Sequence, residues 1–310
     1  MKFAFVFPGQ GSQSVGMLDA WQGYAEVEQL LARANDALGS DLAGLIAHGP
    51  IESLNLTTNT QPAMLVAGLA AHTAWVCAGG PAPALMAGHS LGEYAALTAS
   101  GALKLEDAVR LVRIRADAMQ AAVPVGTGAM AAILGLDDEA VKVACDLAAQ
   151  GQVVEAVNFN APNQVVIAGH EAAVERAMVT AKAAGAKRAI RLPVSAPFHS
   201  SLIKPAADVL AQALAQVNID MPTVPVIHNV DVLTHQSSVE IQAALVSQAW
   251  HAVQWVRTVQ AMRNAGITHI IECGPGKVLA GLVKRIDPDM TGLSVADPES
   301  LQLALKTMST

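Results

Sequence analysis

The chain has 310 residues, a formal net charge of −7, and a composition that is 52% hydrophobic but only 15% charged. That length and balance fit one large domain, or a large domain carrying a smaller insert, around a sizeable buried core. The acidic surplus argues against a general nucleic-acid binder. Cys77, Cys145 and Cys273 are widely spaced with no C-x-x-C pair, which leaves neither a disulfide framework nor a zinc site and fits a reducing compartment.

Residues 3–7 read as a strand, an apolar run that stops at Pro8-Gly9 and is too short for a signal peptide. Helical spacing follows over 19–38 and 61–77. The stretch 63–78 is apolar but holds Gly68, His72 and Thr73, so it reads as a buried core helix and falls short of a membrane span. Next come a short strand through Leu85-Met86-Ala87, the run Gly88-His89-Ser90-Leu91-Gly92 with a helix beginning at Leu91, and a long helix from 105 to about 123. Near Gly126-Thr127-Gly128 the pattern changes: strand 129–134, helix 138–150, strands 153–158 and 164–168, helix 171–184, strand 187–192. This β-α-β-β-α-β order is that of a ferredoxin-like unit. After Pro197 the main domain resumes with helix 202–217, strand 223–228, helices over 242–250 and 253–265, strand 268–273 and helix 277–285. The expected class is α/β: a main domain of residues 1–125 and 197–310, α/β-hydrolase-like with a short parallel sheet, interrupted by a ferredoxin-like insert at 126–196. The cleft between the two is the natural place for a substrate.

Gly88-His89-Ser90-Leu91-Gly92 is a G-x-S-x-G pattern between a strand and a helix, the nucleophile elbow. Its glycines allow a close backbone approach, its serine sits on an exposed apex, and the following helix N-terminus favours developing negative charge. A serine nucleophile needs a base, and the chain has nine histidines. His89 adjoins Ser90, but successive side chains diverge in such a turn, so it is expected to pack under the elbow. His199 stands in the proline-stiffened junction Pro193-Val194-Ser195-Ala196-Pro197-Phe198-His199 and faces the cleft by topology. The other role open to it is as neighbour of a helix N-cap. No Asp or Glu lies close to it, so a dyad oriented by a neutral group is expected. On the long helix, Ala108, Leu111, Val112, Arg115 and Met119 share one face. A guanidinium on that stripe needs an anion, either as a structural ion pair or as a bidentate clamp on a substrate carboxylate. Pro8-Gly9-Gln10-Gly11 leaves the Gln10 N–H open, as half of an oxyanion hole requires, and lacks the third glycine of a dinucleotide loop.

Together these stretches resemble the malonyl-CoA:acyl carrier protein transacylases. The match runs through Phe5-Val6-Phe7-Pro8-Gly9-Gln10-Gly11-Ser12-Gln13, Gln61-Pro62-Ala63, Gly88-His89-Ser90-Leu91-Gly92-Glu93-Tyr94, Gly128-Ala129-Met130, Asn158-Phe159-Asn160, His199 and Glu272-Cys273-Gly274-Pro275-Gly276-Lys277. The resemblance implies Ser90 as nucleophile, His199 as base and the backbone N–H groups of Gln10 and Leu91 as oxyanion hole. It also implies Arg115 on the malonyl carboxylate, a Gln248 carbonyl orienting His199, and Met119, Phe198 and Asn160 in the acyl pocket.

The expected reaction is ping-pong transfer of malonyl from malonyl-CoA, through Ser90, to the phosphopantetheine thiol of acyl carrier protein. Coenzyme A is then a substrate and product, and no cofactor or metal is needed. The expected setting is a cytoplasmic monomer engaging neither nucleic acid nor membrane. A serine esterase or thioesterase shares the same elbow, and a non-catalytic carrier-protein docking module would tolerate loss of Ser90. Two basic runs, Lys182/Lys187/Arg188/Arg191 and Lys277/Lys284/Arg285, are candidates for carrier-protein contact.

Overall fold

The structure, a computed structural model, describes residues 1–124, 126–194 and 196–309. Val125, where the first segment of the expected main domain ends, and Ser195, in the junction before His199, lie outside the described residues. Among the described residues the strands are, in chain order, β1 (Phe3–Phe7), β2 (Leu85–Gly88), β3 (Gly128–Leu134), β4 (Val154–Ala161), β5 (Gln164–His170), β6 (Arg188–Arg191), β7 (Val226–Ile227), β8 (His269–Cys273) and β9 (Thr291–Val295).

One sheet has the order β7-β2-β1-β8-β9, and its strand pairs are all parallel. Its central strand β1, Phe-Ala-Phe-Val-Phe, is buried at every position, as a strand covered on both faces must be. Phe3, Phe5 and Phe7 join the core that holds Trp75 of the helix Thr57–Cys77. Ala4 and Val6 point to the opposite core, beside Val259 and Met262 of the helix Trp255–Asn264. The second sheet, β4-β5-β3-β6, is antiparallel throughout. Ala131, Ile133, Val165 and Ile167 on one face pack against the helices Asp138–Ala149 and Glu171–Ala183. The alternate residues Met130, Val157 and Val166 pack with Met119, Phe198 and Ile203. That shared apolar cluster fastens the antiparallel sheet to the long helix Leu105–Ala121 and sets the width of the gap in which the site lies.

Some expected elements are shorter or divided. The 19–38 segment is a 3-10 turn, Asp19–Trp21, followed by the helix Ala25–Leu38, broken at Gly23 with φ 85°. The 202–217 segment likewise splits into Ser201–Ile203 and Lys204–Leu214. β7 is confined to two residues. The helices Leu42–His48, Ile51–Leu54 and Pro298–Met308 and strand β9 were not anticipated. Gly292 obscures the alternation of β9, and it is there because a Cβ would come within 2.3 Å of the Ala280 carbonyl oxygen. Among the described residues no helix is long and apolar enough to cross a membrane.

Candidate active site

β2 ends at Gly88 and the helix Gly92–Ala99 starts four residues later. A Cβ on Gly88 would lie 1.8 Å from the Gly92 carbonyl carbon, and one on Gly92 would lie 2.0 Å from the Phe7 carbonyl oxygen, so the turn closes only with glycine at both ends. Ser90, between them, adopts φ 51°, a left-handed conformation that costs a non-glycine residue and persists only when neighbours enforce it. Asn229, two residues beyond β7, does so from both sides. Its Oδ1 accepts the Ser90 N–H at 2.7 Å and its Nδ2 donates to the Gly88 carbonyl at 2.6 Å. Beneath it the fully buried Glu93 accepts the Asn229 N–H at 2.9 Å and contacts His228 Nδ1 at 2.7 Å. Sequence reasoning missed these three. The available signal was position: His228-Asn229 follows a strand of a parallel sheet, at the carboxyl end where such sheets place their ligands.

His199 Nε2 lies 2.7 Å from Ser90 Oγ. Its Nδ1 faces two carbonyl oxygens, Gln248 at 2.9 Å and His251 at 3.2 Å. Carbonyls only accept, so Nδ1 carries the proton and Nε2 is the bare nitrogen that takes the serine hydroxyl. Burial, followed by the positive charge of Arg115, lowers the His199 pKa to about 3, which keeps the ring neutral at pH 7. Its backbone also has positive φ, 64°, and the N-cap of the turn that follows is Ser200.

Arg115 emerges from the helix Leu105–Ala121 and is 2% exposed. Nη1 donates to Gln61 Oε1 at 2.6 Å, and Nη2 donates to Gln248 Oε1 at 2.9 Å and to Ser90 Oγ at 3.0 Å. The guanidinium also lies 5.6 Å from the centre of the Tyr94 ring. Its polar partners are thus carboxamides and a hydroxyl, and the carboxylate that a structural ion pair would need is not among them. Gln248 links the whole constellation. Its backbone carbonyl holds His199, its Oε1 holds Arg115, and its Nε2 donates to the Ser90 carbonyl at 2.8 Å and to Glu93 at 3.0 Å.

These groups open on a cavity of about 190 Å³. The elbow side contributes Gln10, Ser90, Leu91 and Met119, the antiparallel sheet contributes Asn158 and Asn160, and Phe198 and His199 complete the wall. The N–H groups of Gln10 and Leu91 have no acceptor within the protein among the described residues. His89 departs from expectation. It lines the cavity, with Nε2 2.8 Å from Asn160 Oδ1 and its ring 5.5 Å from Trp255. Asn160 supplies the polar partner that lets a half-buried imidazole, its pKa lowered by desolvation, face the cleft. Among the described residues no His, Cys, Asp or Glu side chains gather as a metal site requires. The first basic run is partly neutralised, because Arg191 pairs with Glu171 and Glu175; Lys182 keeps its charge while donating to the Lys187 carbonyl.

A serine–histidine pair at the carboxyl end of a parallel sheet, beside a buried arginine, has the geometry that acyl chemistry on a serine requires. Residues 4–286 match the family described as "Acyl transferase domain". The chain is 55% identical to the malonyl CoA-acyl carrier protein transacylase of Escherichia coli K12, over 98% of this chain and 99% of that one. It superposes with TM-score 0.97 on the crystal structure of an acyl-carrier-protein S-malonyltransferase from Burkholderia pseudomallei 1710b, 60% identical, covering 99% of this chain and 100% of that one. A second solved structure, 51% identical with TM-score 0.97 and the same coverage, is a type II PKS acyl-carrier protein in complex with its malonyl-transacylase. The chain is an acyltransferase, and it belongs to the malonyl CoA-acyl carrier protein transacylases.

Proposed function

We propose that this chain transfers the malonyl group of malonyl-CoA to the phosphopantetheine thiol of acyl carrier protein by a ping-pong route through malonyl-Ser90. The observation that carries the reading is a single oxygen, Ser90 Oγ, placed 2.7 Å from a neutral His199 Nε2 and 3.0 Å from Arg115 Nη2. His199 takes the hydroxyl proton as Oγ attacks the thioester carbon. The N–H groups of Gln10 and Leu91 receive the oxyanion, the C–S bond breaks, and the proton passes from His199 to the coenzyme A sulfur. In the second half the carrier-protein thiol gives its proton to His199 and attacks the ester, and Ser90 Oγ leaves with that proton. The Gln248 carbonyl keeps the imidazole in the required tautomer throughout. Arg115 holds the malonyl carboxylate, with Met119, Phe198 and Asn160 around the acyl group.

The architecture supports a hydrolase-like main domain, 1–125 and 197–310, with a ferredoxin-like insert at 126–196 whose β4-β5-β3-β6 order has the first and third strands of the unit at its centre. We assign the protein to the cytoplasm as a monomer, needing no cofactor, with the relative solved as a carrier-protein complex supporting the same partner here. The test is to supply malonyl-CoA with carrier protein bearing its arm, with carrier protein lacking it, or with water alone. Beyond the one malonyl group held on Ser90, malonyl should accumulate only on the arm. Equal release of malonate with and without acceptor would make the protein a hydrolase.

A further inference from the structure

We infer that Arg115 restrains Ser90 in the substrate-free protein, and that the carboxylate of an arriving malonyl group releases the nucleophile, so that selectivity is set in the rate of acylation as well as in binding. This rests on the carboxylate-binding reading of Arg115.

Ser90 Oγ gives its proton to His199 and at the same time accepts an N–H from a full cation. A charge-assisted bond of this kind ties up one of the lone pairs that must attack. As Oγ bonds to the acyl carbon it becomes an ester oxygen, a poor acceptor, so the Arg115 bond weakens on the way to the transition state. An interaction stronger in the ground state than in the transition state slows the step. The cation, balanced only by Glu93 on the far side of Gln248, also opposes the imidazolium that forms when His199 takes the proton.

The guanidinium is itself short of acceptors. Nε is buried without a partner, and the groups that Arg115 does reach are two carboxamide oxygens and the hydroxyl. A carboxylate is a stronger acceptor than a hydroxyl and draws Nη2 away from Ser90, removing both penalties at once. A neutral acyl thioester leaves Nη2 where it is, and so acylates slowly even when it fits.

The experiment splits the substrate in two: acetyl-CoA supplies the thioester and formate the carboxylate. The rate of Ser90 acetylation is followed as formate is titrated, and competition of formate against malonyl-CoA defines occupancy. Over the range in which formate competes, acetylation should accelerate by about tenfold or more, the scale of one hydrogen bond to a charged group. Arg115→Ala should acetylate faster than wild type and ignore formate, and Arg115→Gln covers a failure of the alanine variant to fold. Competition without acceleration overturns the restraint and leaves the carboxylate site standing. Absence of competition overturns both.

Discussion

The side-chain carbonyl of Asn229 accepts the backbone N–H of Ser90 at 2.7 Å. The same amide donates to Gly88 on the other side of the turn, so a residue 139 positions away in the chain imitates a neighbouring strand for the elbow. Ser90 stays in its left-handed conformation because this clamp, resting on Glu93, gives the turn no better-bonded alternative.

Asn229→Ala should therefore injure both stability and chemistry. The Ser90 N–H and the Gly88 carbonyl are each left without a buried partner, at about 1–3 kcal/mol apiece. Denaturant unfolding and single-turnover acylation would measure the two effects. An acylation rate that held steady while stability fell would separate the clamp from the nucleophile's placement.

Arg115→Ala removes the partner of a buried carboxylate, a loss of roughly 2–5 kcal/mol, so malonyl transfer should fall by about 10² or more. Acetyl transfer should rise. Lysine should restore only part of the malonyl rate, because it keeps the charge without the fork. Parallel losses for both acyl groups, with a lower melting temperature, would return Arg115 to a structural role.

His199→Ala should slow both half-reactions by about 10²–10⁴. Because the His199 pKa lies near 3 in the folded protein, the ring stays an unprotonated base well below the ordinary histidine range. The acid limb of kcat/KM should accordingly fall below pH 6.5. Arg115→Ala removes one of the depressing charges and should move that limb upward. An acid limb at the ordinary histidine value or above in the wild type would contradict this environment for the base.

Much of this arrangement is legible in the sequence because it is local. β1 is an unbroken apolar run, and the elbow carries its glycines, serine and helix within a few residues. Arg115 shows as a charge on an apolar stripe. Asn229 and Glu93 do not show, since an acid in the first turn of a helix ordinarily favours the helix dipole from the surface. Glu93 is buried only because His228 and Asn229 arrive from the far side of the chain. The C-terminal helix had a usable signal in the capping box of Asp297 and Ser300, whereas β9 is masked by Gly292.

Glu272, at the end of β8, provides a stability test outside the cleft. Burial raises its pKa to about 7 against backbone N–H groups that oppose the shift, foremost that of Ala280 at 2.8 Å. The folded state therefore binds a proton that the unfolded state has released between the ordinary 4.5 and about 7. This contribution is full below pH 4.5, declines as pH rises through that window, and is gone above it. Glu272→Gln should flatten the pH dependence of unfolding free energy there, and an unchanged slope would place the proton elsewhere.

The most direct test of the central claim is intact-protein mass spectrometry after exposure to malonyl-CoA. Wild type should gain one malonyl group, mapping to Ser90, and lose it when carrier protein bearing its thiol arm is added. Ser90→Ala should gain none. Normal labelling of Ser90→Ala, or transfer to the carrier protein with no malonyl group ever found on the wild-type chain, would contradict a reaction that runs through this serine.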